Sequence, residues 1–266
     1  MANNILFVFE GEKTEQIIAN GFLKFYPLGS KTTILTAYCA EIYQLWREVS
    51  QDEDVDLFAI IKKRIANSDR SINVESYQLL KDIGSESVSE IYLFFDYDGH
   101  AQSSRNNGHD EDITQMLTHF NVETGNGKLY ISYPMVEALK HIQRTVDFNK
   151  MIVNAKTKIA CNVQGVNYKN LVASQTDFQD ITRYSKNDWS YLILTHVVKA
   201  NYLFNKNSQL PESHFHVLAM TQALIFQKQL SEYILSSGKV AVLSGIPFFL
   251  IEYFGEPIWR ELTESD

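Results

Sequence analysis

Cysteine is nearly absent from this chain: there are two among 266 residues, Cys39 and Cys161. They stand far apart and outside any C-x-x-C frame, which excludes a disulfide scaffold and a cysteine-built zinc site. No basic-then-apolar segment opens the sequence, so a reducing cytoplasm is the expected location. Proline is sparse, and no stretch is rich in Pro, Gly or Ser, so no flexible linker is expected. Long apolar runs are also missing. The longest, VAVLSGIPFFLIEYF, is too short to span a bilayer and carries Pro247 and Glu252; it reads as a buried helical hairpin element, with no membrane partner. Cations are in deficit, 24 Lys and Arg against 32 Asp and Glu, for a net charge of −8. Taken as a sum this argues against a nucleic-acid partner, although the distribution of charge matters more than the total.

What the chain does have is hydrophobic residues, 45% of its length and enough for a substantial core. It also has two acidic clusters, each placed where an apolar strand runs out. ILFVFEGEKTE ends its run at Glu10, and EIYLFFDYDGH ends its run at Asp96 and Asp98, each cluster being followed by a glycine, Gly11 or Gly99. The ends of strands are where an open α/β sheet keeps its active site. Alternation along a strand sends Asp96 and Asp98 to one face, roughly 6–7 Å apart at Cα, and turns Tyr97 to the other. If the two strands are parallel neighbours, Glu10, Asp96 and Asp98 converge. Carboxylates so crowded raise one another's pKa unless a cation holds them, and Mg²⁺ or Mn²⁺, hard ions taking oxygen ligands, is the expected guest. Glu15, five residues past Glu10, is placed either to reach that metal or to face the amino end of a helix, where acids are favoured in any case.

The strand ending in E-G before a helix, and the later strand ending in D-x-D, resemble the TOPRIM domain, the metal-binding catalytic module of topoisomerases, bacterial primases and several nucleases. FEGEKTE and FFDYDGH carry this resemblance, and ISYPMVEAL brings the chain nearest to the RloB-like and overcoming-lysogenisation-defect-like nucleases of anti-phage, abortive-infection systems. In those relatives a proline-containing turn leads to a helical glutamate, which corresponds to Pro134 and Glu137. Tyr133 stands where many of them carry asparagine. The resemblance covers about residues 1–145. It implies that Asp96 and Asp98 hold Mg²⁺ or Mn²⁺ and that Glu10 ligates a metal or acts as general acid/base. It also implies that Glu137 completes a second metal site, with Lys140 or Arg144 stabilising charge on the phosphate. The implied activity is phosphodiester hydrolysis in DNA or RNA, transfer RNA included, beside an ATPase partner. The chain is too short for the added domains of topoisomerases and primases, so cleavage is expected over strand passage or synthesis.

Two other readings fit the same residues. LFFDYDGH resembles the haloacid-dehalogenase phosphatase motif, in which Asp96 would be the nucleophile and Asp98 the acid; that reading leaves Glu10 unexplained. A non-catalytic TOPRIM scaffold subunit of an ATPase complex is the third, and intact carboxylates argue against it, since unused charges at a buried edge cost stability. Lys140, Arg144, Lys150, Lys156, Lys158 and Lys169 face only Asp147 in sequence, an arrangement suited to holding a nucleic-acid strand beside an acidic metal site. Each lysine taken singly reads equally as a solvated surface residue. His100 and His109 could shuttle protons or simply be solvated. His214 and His216 lack a third ligand for zinc, and PLGSKTT lacks the frame of a phosphate-binding loop.

Period-two and period-3.6 patterns alternate through the first half, which predicts an α/β fold with a mainly parallel sheet flanked by helices; the resemblance implies that this sheet is TOPRIM-like. The expected division is a catalytic domain over 1–145, with a helical insertion at about 40–83, and a helical C-terminal domain over 146–266. The last region carries long helical patterns at NDWSYLILTHVVKANYLF and HFHVLAMTQALIFQKQLSEYI.

Overall fold

The computed structural model describes residues 3–11, 13–29, 32–38, 42–51, 55–67, 71–97, 108–155 and 167–264. The fold is α/β: a mainly parallel five-stranded sheet flanked by helices, followed by a largely helical C-terminal region. Two compact units divide the chain, Met1–Phe95 with Ser103–Leu129, and Asp96–Gln102 with Tyr130–Asp266. Residue 145, the expected boundary, falls inside the second of them.

In the first unit, β1 (Asn3–Phe9) buries every side chain from Ile5 to Phe9, the mark of a strand covered on both faces. Its neighbours are β2 (Thr32–Tyr38) and β3 (Val88–Asp96), both parallel to it, with Phe9 in register with Tyr38 and Phe94. Phe7 meets Phe9, Phe22, Tyr92 and Phe94 at centroid distances of 5.5–6.3 Å, so one aromatic side chain ties two strands to the first helix. The helices are α1 (Thr14–Leu23), α2 (Ile42–Val49), α3 (Leu57–Ala66), α4 (Ser71–Leu80) and α5 (Gly108–His119). Asp56 caps α3 by accepting from the Ala59 N–H at 3.0 Å. The sheet continues through β5 (Gly127–Ser132) to a two-residue edge strand, β4 (Asn121–Val122), antiparallel to β5. Sequence patterning does not reveal β4, because two exposed residues carry no periodicity.

In the second unit, β6 (Ile152–Asn154) pairs antiparallel with β7 (Lys239–Ala241). Its helices are α6 (Tyr168–Gln175), α7 (Lys186–Asn205), α8 (His214–Leu218), α9 (Gln222–Gln229), a π-helical turn (Leu230–Ile234), α10 (Leu235–Ser237), α11 (Ile246–Phe254) and α12 (Glu256–Glu264). A capping box between Ser185 and Asp188 starts α7, and Trp189, fully buried, anchors it. Two sequence expectations are corrected here. HFHVLAMTQALIFQKQLSEYI is not continuous: the chain breaks after α8, and Thr221 restarts it by accepting the Leu224 N–H. VAVLSGIPFFLIEYF is a strand followed by a helix rather than a helical hairpin. Gln229 fixes that strand, because its side-chain amide donates to the Ala241 carbonyl at 2.7 Å and accepts the Ala241 N–H at 2.8 Å. Gly245 then lets the chain pass the backbone of β5; a Cβ there would lie 3.0 Å from the Ile131 backbone.

Candidate active site

Glu10 follows the last residue of β1, and its N–H donates to the Phe94 carbonyl of β3 at 3.3 Å. Asp96, the last residue of β3, comes two positions after Phe94. Parallel pairing of β1 with β3, on which the sequence reading depended, is therefore present. Asp98, Lys156 and Lys158 lie outside the described residues.

Glu15, in the first turn of α1, is buried and accepts the Gly11 N–H at 3.0 Å. It closes the turn that presents Glu10, which is a structural task whatever else it does. Gly11 is required for that closure: a Cβ on it would stand 2.5 Å from Glu15 Oε1. Gly11→Ala must push the Glu15 carboxylate off the Gly11 N–H. The expected loss is about 1–3 kcal/mol, the value of a charge-assisted bond, read as a lowered urea midpoint. Glu15→Gln, which keeps an acceptor oxygen, should lose less than half as much.

Asp96 is half-buried, and its Oδ1 accepts the Val136 N–H at 2.8 Å. Val136 opens the 3-10 turn Val136–Lys140, which follows the cis Tyr133–Pro134 bond. The turn is anchored from behind by Tyr133, which exchanges backbone bonds with Leu243 at 2.7 and 3.0 Å, and by Tyr97, whose N–H reaches the Ser132 carbonyl at 2.9 Å. Tyr97 is fully buried against Tyr133 and Phe226, so it turns away from Asp96, as strand alternation requires.

The next residue is Glu137. Expected on a helix, it sits in the 3-10 turn instead, 5% exposed. Lys169, two-thirds exposed, reaches Glu137 Oε1 at 3.6 Å. Glu137 Oε2 is buried with no hydrogen-bond partner among the described residues. A buried carboxylate oxygen with no partner among the described residues is costly, and a cation or a donor beside it would relieve that cost.

Two residues that sequence reasoning missed complete this neighbourhood. Tyr168, the first residue of α6, has its hydroxyl 3.0 Å from His141 Nδ1, and His141 Nε2 is 3.2 Å from Gln175 Oε1. A proton on Nε2 donates to the amide oxygen, leaving Nδ1 to accept from the phenol. Burial lowers the His141 pKa, which keeps the ring neutral and consistent with that assignment. Burial raises the Tyr168 pKa well above its ordinary value, and the negative charges of Glu137 and then Asp96 raise it further. Tyr168 thus registers both carboxylates at once. Nothing in the spacing of a tyrosine thirty-odd residues after Glu137 could have announced it.

Of the cations expected to hold a strand, those described have partners within the fold, as do Arg183 and Lys199 further along the chain. Lys140 Nζ donates to the Gln179 carbonyl at 3.3 Å, Lys150 pairs with Asp147 at 3.4 Å, and Arg183 with Asp180 at 3.1 Å. Arg144 donates its backbone N–H to Asp177 Oδ2 at 2.7 Å, and its guanidinium lies over the Phe178 and Tyr191 rings. Lys199 is fully buried. It donates to the carbonyls of Phe148 and Met151 at 2.7 and 2.6 Å and stands 4.4 Å from the Phe148 ring, which makes it a clamp on the 148–151 turn rather than a surface charge.

Among the described residues no three His, Cys, Asp or Glu side chains lie together as a set able to hold a metal. Asp96 accepts the N–H of Val136, the residue before Glu137. No described helix is long and apolar enough to cross a membrane. No family model, curated protein or solved structure matches the chain.

Proposed function

We propose that this chain is a metal-dependent nuclease of TOPRIM type, cleaving phosphodiester bonds in DNA or RNA, transfer RNA among the candidates, as a cytoplasmic effector of an anti-phage defence system with an ATPase partner. The observation that carries the reading is the buried Oε2 of Glu137, without a hydrogen-bond partner among the described residues, one residue from the N–H that holds Asp96. This donor set fits a hard divalent cation: two carboxylates, one half-exposed and one buried, with Asp98 two residues further along the chain. Mg²⁺ or Mn²⁺ bound there would polarise a phosphoryl oxygen and lower the pKa of a water.

Each remaining residue has its own task. The Val136 N–H orients Asp96. Glu10, at the end of β1, takes or returns the proton of the attacking or leaving oxygen. Lys140 and Arg144 counter charge on the phosphate, and Lys150, Lys156 and Lys158 contact the strand further out. Glu15 holds the turn under Glu10.

The test is incubation of the purified chain with labelled DNA and with total RNA, in Mg²⁺, in Mn²⁺ and in chelator. Shortened polynucleotides only in the metal lanes are expected. Hydrolysis of p-nitrophenyl phosphate with intact polynucleotides would move the assignment to the phosphatase, and inactivity on both, with the ATPase partner supplied, to the scaffold.

A further inference from the structure

The Arg144 guanidinium lies 5.5 Å from the centroid of Phe178 and 5.4 Å from that of Tyr191, and the two rings stack at 5.7 Å with 19° between their planes. Three nearly equal distances place the cation astride the shared side of a two-ring stack. Phe178 is buried and Tyr191 is 40% exposed, so the inner ring is the foundation and the outer ring is offered to solvent. The stack is built in rather than draped on the surface. Phe178 N–H donates to Thr176 Oγ1 at 2.9 Å, that hydroxyl donates to the Lys140 carbonyl, and Asp177 N–H donates to the Ile142 carbonyl at 3.0 Å. Asp177 in turn accepts the Arg144 N–H, and the Tyr184 hydroxyl holds the Phe178 carbonyl at 2.7 Å. Both strands of this brace belong to the site: residues 140–144 continue the turn that carries Glu137, and residues 176–178 continue the helix that carries Tyr168 and Lys169.

We propose that Tyr191 and Arg144 form a stacking platform for an unpaired nucleobase, so that the substrate strand is bound single-stranded. The proposal deepens the nuclease reading and rests on it for the presence of a nucleic acid. Local charge leaves room for stacking as a source of binding beside the phosphate contacts of Lys140 and Arg144. Lys140, Arg144 and Arg183 stand among Asp177, Asp180 and Asp188, which offset them nearly one for one. An aromatic ring with a guanidinium at its edge binds the face of any base regardless of that balance. In a duplex both faces of each base are already covered, so such a platform selects loops, bulges, ends and single strands. Seven residues separate Glu137 from Arg144, a reach of at most about 25 Å, so a short oligonucleotide spans both.

The experiment measures binding in chelator, where cleavage cannot interfere. Fluorescently labelled 12-nucleotide RNA and DNA of one mixed sequence, and the duplexes of each, are titrated with the wild-type chain, Tyr191→Ala and Tyr191→Phe. Single strands are expected to bind more tightly than duplexes, whether RNA or DNA or only one of them carries the effect. Tyr191→Ala should weaken single-strand binding about five- to a hundredfold without changing its salt dependence, since no charge is lost, and Tyr191→Phe should keep it. Equal binding by wild type and Tyr191→Ala, or duplex binding as tight as single-strand binding, would overturn the platform. Cleavage in Mg²⁺ or Mn²⁺, scored separately, judges the nuclease reading. Tyr191-dependent binding without cleavage keeps the platform and removes the nuclease, and cleavage indifferent to Tyr191 does the reverse.

Discussion

Asp96→Asn and Glu137→Gln should each lower the proposed metal-dependent cleavage by a thousandfold or more while the chain stays folded. The magnitude follows from the several kcal/mol that a correctly held cation contributes to a phosphoryl-transfer transition state, at about 1.4 kcal/mol per tenfold. The choice of substitutions follows from the geometry. Asparagine keeps the Oδ1 that accepts the Val136 N–H, whereas alanine would release the 3-10 turn and confuse loss of chemistry with loss of structure. Glutamine removes a buried charge whose Oε2 has no hydrogen-bond partner among the described residues, at the cost only of a contact to a largely exposed lysine. Without metal, Glu137→Gln should therefore be as stable as the parent or more so, by about 1 kcal/mol or some 2–4 °C in Tm. The parent alone should gain stability when Mg²⁺ or Mn²⁺ is added, because a ligand bound only by the folded state shifts unfolding by mass action. Thermal unfolding with and without metal, beside cleavage assays on the same preparations, reads all of this. A parent indifferent to metal, with both variants fully active, would remove the carboxylates from the chemistry.

Asp96→Asn alone does not separate nuclease from phosphatase, since Asp96 is essential to both. Glu10 does. A phosphatase built on the D-x-D has no task for a carboxylate at the end of β1, so a variant in which Glu10→Gln leaves phosphoester hydrolysis intact would speak for it. Loss of polynucleotide cleavage in the same variant would speak for the nuclease.

The sheet was legible in the sequence because its signals are redundant. Ile5 to Phe9 is an unbroken apolar run, the run before Asp96 is another, and the helices between them show the 3.6-residue period. Legibility fell where an element depends on a partner far away. β7 has three residues and owes its place to the Gln229 side chain and to β6, neither of which patterning can pair with it. The π-helical turn after α9 leaves no mark in periodicity at all. Glu137 was singled out in the sequence, yet placed on a helix. A glutamate after Pro134 in an apolar stretch looks helical, and bonds to distant residues, among them the bridge from Tyr133 to Leu243 and the bond from Val136 to Asp96, hold the chain in one tight turn.

The site was legible to the extent that it rests on strand ends. Glu10 and Asp96 follow from where hydrophobic runs stop. Tyr168 and Tyr191 do not, because each is brought in by α6 or α7 packing on the Glu137 turn, and His141, which ends that turn, gains its role from the α6 residues Tyr168 and Gln175. The basic stretch was legible only as a count. Sequence showed Asp147 as its lone counter-charge, and the fold adds Glu137 as the ion-pair partner of Lys169 and Asp177 as an acceptor for the Arg144 backbone N–H.

Below neutrality the chain should lose stability earlier than its carboxylates alone would require, and His196 is the main reason. Its ring is fully buried in α7, with Nε2 3.1 Å from the Leu139 carbonyl, Nδ1 3.2 Å from the Ser244 N–H, and the Phe148 ring at 5.0 Å. One nitrogen donates and the other accepts, so the neutral tautomer satisfies both partners and a second proton would face a donor. Burial, with the charge of Lys199 adding to it and the Leu139 and Ala138 carbonyls opposing, lowers the His196 pKa to about 3. Unfolded, the same ring titrates near 6.5. The folded pKa is the lower one, so the unfolded state binds the extra proton first. The contribution to stability is complete above about pH 6.5 and is lost as pH falls toward 3, at roughly 1.4 kcal/mol per unit and on the order of 4–5 kcal/mol in all. His141, whose pKa burial also lowers, adds in the same direction. Urea midpoints measured from pH 8 to pH 4.5 should hold level down to about 6.5 and then fall, in a window where carboxylates still carry their charge. His196→Gln, which keeps one donor and one acceptor but does not titrate, should be less stable at pH 7.5 for want of ring packing, and its midpoint should decline less steeply between pH 6.5 and 5. A parent curve flat from pH 7 to 5.5 would mean that the ring takes up its proton in the folded state, and that the Ser244 N–H has moved to let it.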